Sequence, residues 1–191
     1  MSAEGCSVLR DDRTLRDVRD SDMPTIQRIY ADQVLTGVSS WEEVPPDFEE
    51  MCSRRDAILA GGFPYRVAVG KLDAAEAEPR VLGYAYASSY RPRPGYRYTV
   101  ENSIYVRKEA RGHGVGRLLL EDLIRQCETR GYRQMIAVVG DSANRLSIDF
   151  HLAMGFEQAG VIKSIGFKFG RWMDSVILQR PLNGGDTTLP G

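Results

Sequence analysis

The feature that most restricts the fold is the stretch Arg111-Gly112-His113-Gly114-Val115-Gly116-Arg117. It is set between the β-branched and aromatic run Ile104-Tyr105-Val106 and the leucine run Leu118-Leu119-Leu120. A β-rich run, a glycine-rich turn and a leucine-rich helical pattern, in that order, predict a strand, a loop and a helix start. Such a junction aims free backbone N–H groups and the positive end of a helix dipole at one spot, where an anion can sit. Glycine there removes the Cβ atoms that would hold a phosphate away. The Lys-Ser/Thr pair of a Walker loop is missing, and the G-x-G-x-G spacing differs from the dinucleotide fingerprint G-x-G-x-x-G. On these residues alone the stretch is either an anion cradle or a plain turn.

Any anion site must be local, because 25 cations against 26 acids leave a formal net charge of −1. That balance speaks against a nucleic-acid or membrane-surface protein driven by overall charge. A chain of 191 residues, 42% hydrophobic and 27% charged, is most simply one globular domain with a real core. Cys6, Cys52 and Cys127 have no C-x-x-C spacing, which points to reduced, packed thiols. Only two histidines are present, and no metal is expected. No apolar run approaches the roughly 18 residues of a membrane span, and the first residues lack a leader pattern. Cytoplasmic location is the expectation.

Residues 1–13 read as a flexible tail, and Thr14 to Val18 alternates like a short strand. Ser21-Asp22-Met23-Pro24 opens a first helix, with Ile26, Ile29, Tyr30 and Val34 at helical spacing. A loop from Thr36 to Pro46 leads to a second helix capped near Asp47, with Phe48, Met51, Cys52 and Leu59 inward and Gly61-Gly62 at its end. Strands follow at Tyr65 to Val69 and Val81 to Ser89, a hairpin whose tip spans Lys71 to Arg80. After the tyrosine- and arginine-rich loop Tyr90 to Tyr98 come strand Thr99 to Val106, the glycine loop and a helix to about Arg130. The order then becomes strand Gln134 to Val139, helix Asn144 to Met154, and strands Phe156 to Val161 and Asp174 to Arg180. The sum is an α/β (α+β) domain over 14–182, a mixed sheet with helices on both faces, ending in a flexible tail at 183–191. Two of its parts read as parallel crossovers, which place ligand sites at strand carboxyl ends.

Arg111 to Gly116 resembles the R/Q-x-x-G-x-G/A signature of the Gcn5-related N-acetyltransferase (GNAT) superfamily. Asn144 to Ser147 and His151-Leu152-Ala153-Met154-Gly155-Phe156 stand where that superfamily has a helix start and a Y-x-x-x-G-F ending. The runs Tyr98 to Val106 and Gly166 to Asp174 are similar to the phosphinothricin and methionine sulfone/sulfoximine acetyltransferase branch. The resemblance spans about residues 14–180. It implies that Arg111, Gly112, His113, Gly114, Val115, Gly116 and Arg117 hold the pyrophosphate of acetyl-CoA, with His113 itself facing solvent. It further implies a sheet splayed between the Thr99 to Val106 and Gln134 to Val139 strands. The pantetheine arm would enter the gap and pair with backbone at Ile104, Tyr105 and Val106, where an N–H can polarise the thioester carbonyl.

An amine attacks a thioester only as the free base, so a group must take its proton. Glu101 interrupts a β-rich strand just before the thioester position, matches the superfamily's catalytic glutamate, and is otherwise a solvent-facing strand residue. His151 stands where many members carry a tyrosine that protonates the leaving thiolate. It is either that acid or a packed structural histidine. Asn144, with Ser147, either bonds the pantetheine amides or caps its helix. Trp41, Tyr90, Arg91, Arg93, Tyr96 and Tyr98 supply the cations and apolar wall that a carboxylate-bearing amino acid needs, or form a solvated loop. Lys168, Arg171 and Trp172 either pack across a homodimer interface, as homologous members do, or finish the sheet. The expected function is direct acetyl transfer from acetyl-CoA to a small L-amino acid or analogue. The alternatives are another amine acceptor, such as an antibiotic, polyamine or protein N-terminus, or a non-catalytic CoA-binding module.

Overall fold

The computed structural model describes residues 13–73 and 76–190. Apart from Arg13, the expected N-terminal tail lies outside the described residues, as do two positions of the hairpin tip. Seven strands form one mixed sheet in the order β1-β2-β3-β4-β5-β7-β6. They are β1 (Thr14–Asp17), β2 (Tyr65–Gly70), β3 (Arg80–Ser89), β4 (Thr99–Val106), β5 (Gln134–Gly140), β6 (Glu157–Lys168) and β7 (Arg171–Pro181). Four helices flank them: α1 (Met23–Thr36), α2 (Phe48–Ala60), α3 (Val115–Thr129) and α4 (Arg145–Ala153).

Two apolar clusters, one on each face of the sheet, hold the layers together. On one face, Leu119, Leu120, Leu123 and Cys127 of α3 and Ile148 of α4 pack on Leu82, Val100, Met135 and Leu178. On the other, Met23, Ile26 and Val34 of α1 and Met51 of α2 cover Tyr65, Val67, Tyr84 and Tyr105. Burial pushes the Cys127 thiol up to about 12, so it stays a protonated packing group. The expected inward face of α2 is narrower than its pattern suggests. Met51 is buried, and Cys52 and Ile58 pack against the same cluster, but Phe48 and Leu59 are each 44% exposed.

Every strand pair is antiparallel except β4–β5. The strand–glycine loop–α3–strand unit is therefore a true parallel crossover. The second expected crossover is different: β7 is inserted between β5 and β6, so the strands joined through α4 do not pair. β6 and β7 are also longer than the segments Phe156 to Val161 and Asp174 to Arg180. They continue to Lys168 and from Arg171, closed by Phe169-Gly170 with φ of 52° and 73°. Positive φ at both central residues is the hairpin turn whose twist matches the strands. Residues 183–190, expected as a tail, are tied back by hydrogen bonds. Asn183 donates to the carbonyls of Glu128 and Tyr132, and Arg133 to those of Gly185 and Thr188.

Candidate active site

The sheet splits along one seam. β4 and β5 pair at Thr99–Gln134, Val100–Met135 and Glu101–Ile136 and then part, although β4 runs on to Val106 and β5 to Gly140. From Asn102 onward β4 turns a row of backbone groups toward the gap, with its other edge still paired to β3. The gap opens into a cleft of about 150 Å³. Glu101, Ile104 and Tyr105 of β4 line it with Val139 and Gly140 of β5, Asn144, Ser147 and His151 around α4, and Trp41 of the α1–α2 loop. A parallel pair that fails to stay paired thus makes a slot flanked by a carboxylate and an imidazole.

Glu101 is half-buried at the last paired rung, opposite Ser88 on one side and Ile136 on the other. Burial raises its carboxyl above the ordinary range, and the Arg91 guanidinium partly offsets this. His151 is buried, with Phe150 and Phe156 edge-on to its ring at 5.1 and 5.2 Å. Its Nδ1 lies 2.8 Å from the Ser147 carbonyl and its Nε2 lies 3.3 Å from Oδ1 of Asn102. Burial lowers the imidazole from its ordinary value, and the bond to Ser147 pulls the other way. Asn144 is the N-cap of α4, its Oδ1 accepting from the Ser147 N–H at 3.4 Å. It caps the helix and lines the cleft at once.

The glycine loop sits at the carboxyl end of β4. Gly112 and Gly114 have φ of 78° and 79°, which non-glycine residues adopt only with strain. Gly114 is the N-cap of α3 and offers no side chain, and the first helical N–H to reach a carbonyl is that of Leu118, bonded to Gly114. The N–H groups of Val115, Gly116 and Arg117 therefore open outward at the positive end of a 15-residue helix. Arg111 turns back, donating to the Val106 carbonyl at 3.3 Å and approaching Asp32 at 3.9 Å. Arg117 pairs with Glu121 at 2.8 Å, and His113 is exposed. Among these residues the backbone is what remains free for an anion.

The expected acceptor residues divide. Trp41 forms part of the cleft wall, whereas Tyr90, Arg91, Arg93, Tyr96 and Tyr98 stand outside it, around the 3-10 turn Pro94–Tyr96. Tyr90 meets Tyr96 edge-on at 5.7 Å, and Arg91 lies 5.1 Å over the Tyr90 ring. Trp41 is fixed from β6: three carbons of its indole lie 2.7 Å or less from where a Cβ on Gly166 would stand. Lys168, only 2% exposed, donates to the carbonyls of Gly37 (3.1 Å) and Ser40 (2.8 Å) and so ties the same loop to the β6–β7 hairpin. Lys168 thus finishes an internal contact, while Trp172 is 65% exposed. Sequence reasoning passed over Asn102 and the Gly166 contact. A polar residue in an apolar strand next to Glu101 was the available signal for the first; the second is a long-range approach that sequence spacing does not carry.

A split mixed sheet, a glycine-rich helix start at the end of the central strand and a Glu–His cleft between the parted strands define an acyl-transfer scaffold of the GNAT type. The sequence model described as "Acetyltransferase (GNAT) family" matches residues 26–156, and the chain belongs to that family. It is an acetyl-CoA-dependent N-acetyltransferase. It is 54% identical to phosphinothricin N-acetyltransferase of Alcaligenes faecalis over 97% of this chain and 91% of that one. It is 38% identical to L-methionine sulfoximine/L-methionine sulfone acetyltransferase of Pseudomonas paraeruginosa over 89% and 95%. The crystal structure of a phosphinothricin acetyltransferase from Sinorhizobium meliloti in complex with acetyl-CoA superimposes with a TM-score of 0.86, at 47% identity and 94% of each chain. Among the described residues no helix is long and apolar enough to cross a membrane, and no group of three or more potential metal ligands is gathered.

Proposed function

We propose that the chain acetylates the α-amine of a small L-amino acid analogue of the phosphinothricin, methionine sulfoximine or methionine sulfone type, by direct attack with Glu101 as base. The observation that carries this reading is the juxtaposition of Glu101 and His151 across a slot bounded by unpaired β4 backbone. The names of the relatives at 54% and 38% identity support the acceptor class.

In this reading the diphosphate of acetyl-CoA rests on the N–H groups of Val115, Gly116 and Arg117, and pantetheine adds along residues 104–106 as a short extra strand. Gly112 and Gly114 leave the approach open, and the slot takes a chain one strand wide. A backbone N–H on that edge polarises the thioester carbonyl. Glu101, in its ionised form, takes the proton from the ammonium, directly or through water. The freed amine adds to the carbonyl carbon, the C–S bond breaks, and the thiolate leaves with a proton supplied by His151. The second proton on the nitrogen, shed as the amide forms, returns through water to the imidazole, and the first passes from Glu101 to solvent. Arg91, whose charge reaches Glu101, meets the acceptor carboxylate outside the slot, with Arg93 two residues further along the same loop. No cysteine nucleophile is needed: Cys127 is packed in the core away from the cleft.

The protein is further proposed to work in the cytoplasm as a homodimer. Ile162, Ile165, Phe167, Phe169 and Trp172, each about half exposed or more along the β6–β7 hairpin, support such an interface. Thiol release from acetyl-CoA, measured over a panel of amino-acid analogues, polyamines and antibiotic amines, tests the substrate assignment. Turnover confined to the amino-acid analogues is expected. Coenzyme binding without turnover of any of them would overturn it.

A further inference from the structure

The ladder between β4 and β5 ends at Glu101–Ile136, and the next side chain on β4 occupies the fork. Asn102 is 7% exposed, and its Nδ2 donates to the Ile136 carbonyl at 3.1 Å. A backbone carbonyl can only accept, so this bond fixes which end of the amide is nitrogen and turns Oδ1 toward Nε2 of His151 at 3.3 Å. The other ring nitrogen meets a second obligate acceptor, the Ser147 carbonyl at 2.8 Å. An imidazole held between two acceptors satisfies both only when each nitrogen carries a hydrogen. In the neutral ring one nitrogen lone pair must face an oxygen lone pair, and the shorter Ser147 contact assigns the remaining hydrogen to Nδ1.

We propose that Asn102 is a positioning residue whose amide oxygen holds Nε2 of His151 in the proton-bearing form that protonates the departing thiolate. The inference rests on the role assigned above to His151. The surroundings leave this task to the amide. Phe150 on α4 and Phe156 ahead of β6 contribute only rings. β5 lines the cleft with Ala137, Val138, Val139 and Gly140, α4 adds Asn144 and Ser147, and β4 adds Glu101 and Tyr105 as the titratable groups. Desolvation works against the charged ring and the Ser147 carbonyl works for it, while the Asn102 amide oxygen presents the same polarity to Nε2 at 3.3 Å. Once the proton moves to sulfur, the neutral ring faces Oδ1 with a lone pair, an arrangement that draws a proton back to Nε2 before the next turnover. Asn102 thereby couples the seam that admits the thioester to the group that completes its cleavage.

The chain has two histidines, and His113 is exposed, so side-chain nitrogen NMR of the intact protein reads His151 with an internal reference. Above its titration, wild-type His151 is expected to carry its hydrogen on Nδ1, the reverse of the usual preference of a free imidazole. Asn102→Leu, similar in size without the acceptor, is expected to lower the His151 midpoint by about half a unit or more. The basic limb of the kcat–pH profile for acetyl transfer should move with it. Asn102→Asp, which keeps an acceptor at that place, should restore or raise the midpoint. An Nε2–H neutral tautomer in the wild type, or a His151 midpoint indifferent to Asn102→Leu, would overturn the proposal. His151→Ala with an undiminished rate would instead remove the acid role beneath it, and the NMR shifts separate that failure from the other.

Discussion

The sharpest structural consequence lies at Gly166, remote in sequence from every reacting group. A Cβ built there overlaps the six-membered edge of the Trp41 indole, with three ring carbons at 2.7 Å or less. Carbon–carbon contacts settle near 3.5–4.0 Å, so Gly166→Ala demands a shift of about an ångström from a rigid ring. β6 is held by its pairing with β7, and Gly166 faces Met173 in that ladder. The indole, 39% exposed, is therefore the partner that yields. Overpacking of this kind costs about 1–3 kcal/mol. For a chain of this size that is a fall of roughly 2–12 °C in Tm. Since Trp41 walls the cleft beside Glu101, its displacement should raise KM for the amino-acid acceptor several-fold. The affinity for acetyl-CoA, proposed above to rest on the glycine loop and the β4 edge, should stay within about twofold. Steady-state kinetics with each substrate varied, coenzyme titration and thermal melts read the three quantities. A Trp41→Ala background checks the cause, because the alanine at Gly166 should then cost little. An unchanged acceptor KM, or a thermal penalty that persists at full size without the indole, would show that the Gly166–Trp41 contact does not shape the acceptor site.

Gly114→Ala places a Cβ on a residue at φ 79° at the start of α3, costing roughly 1–2 kcal/mol in strain. It should weaken acetyl-CoA binding in calorimetric titration while leaving the acceptor KM at saturating coenzyme unchanged. Lys168→Met leaves the Gly37 and Ser40 carbonyls without their buried donor, and a loss of about 1–3 kcal/mol by denaturant unfolding is expected, with Trp41 fluorescence altered in the native state. Glu101 has a folded pKa raised by burial, so its contribution to stability is full below the unfolded value near 4 and is lost as pH rises through the folded value. Glu101→Gln should accordingly melt higher than wild type at pH 7, with the difference closing as the pH falls toward about 4.

Much of this was legible in the chain itself. The β4–glycine loop–α3 unit announces its ends through Gly112, Gly114 and the leucine spacing of α3, because turn chemistry and helical periodicity are local properties. The splay is implied by likeness to the family, and the register shows where it starts, after three paired rungs. What sequence could not give are contacts made by folding distant segments together. Lys168 meets the Gly37 and Ser40 carbonyls, Gly166 makes room for Trp41, and β7 pairs with β5, each across more than 30 residues of chain. The full length of the β6–β7 hairpin is hidden in the sequence because Gly160, Ser164 and Gly166 interrupt its alternation, and its register shifts between Gln158 and Gly160 and between Ile162 and Gly166. Asn102 escaped for a related reason. Its role follows from a fork between strands, and a fork is visible only once both strands are placed.

The reading of the cleft as the place where a free amine meets the thioester turns on one comparison, Glu101→Gln against wild type. The pair should be assayed with L-phosphinothricin and acetyl-CoA, the acetyl-CoA dissociation constant being determined for both. A positioned general base contributes about 10²–10⁴ in rate. The expected result is a fall in kcat of that order with coenzyme affinity changed by less than about twofold. A variant that keeps its rate, or one that loses rate and coenzyme affinity together, would contradict the assignment of Glu101 as the base.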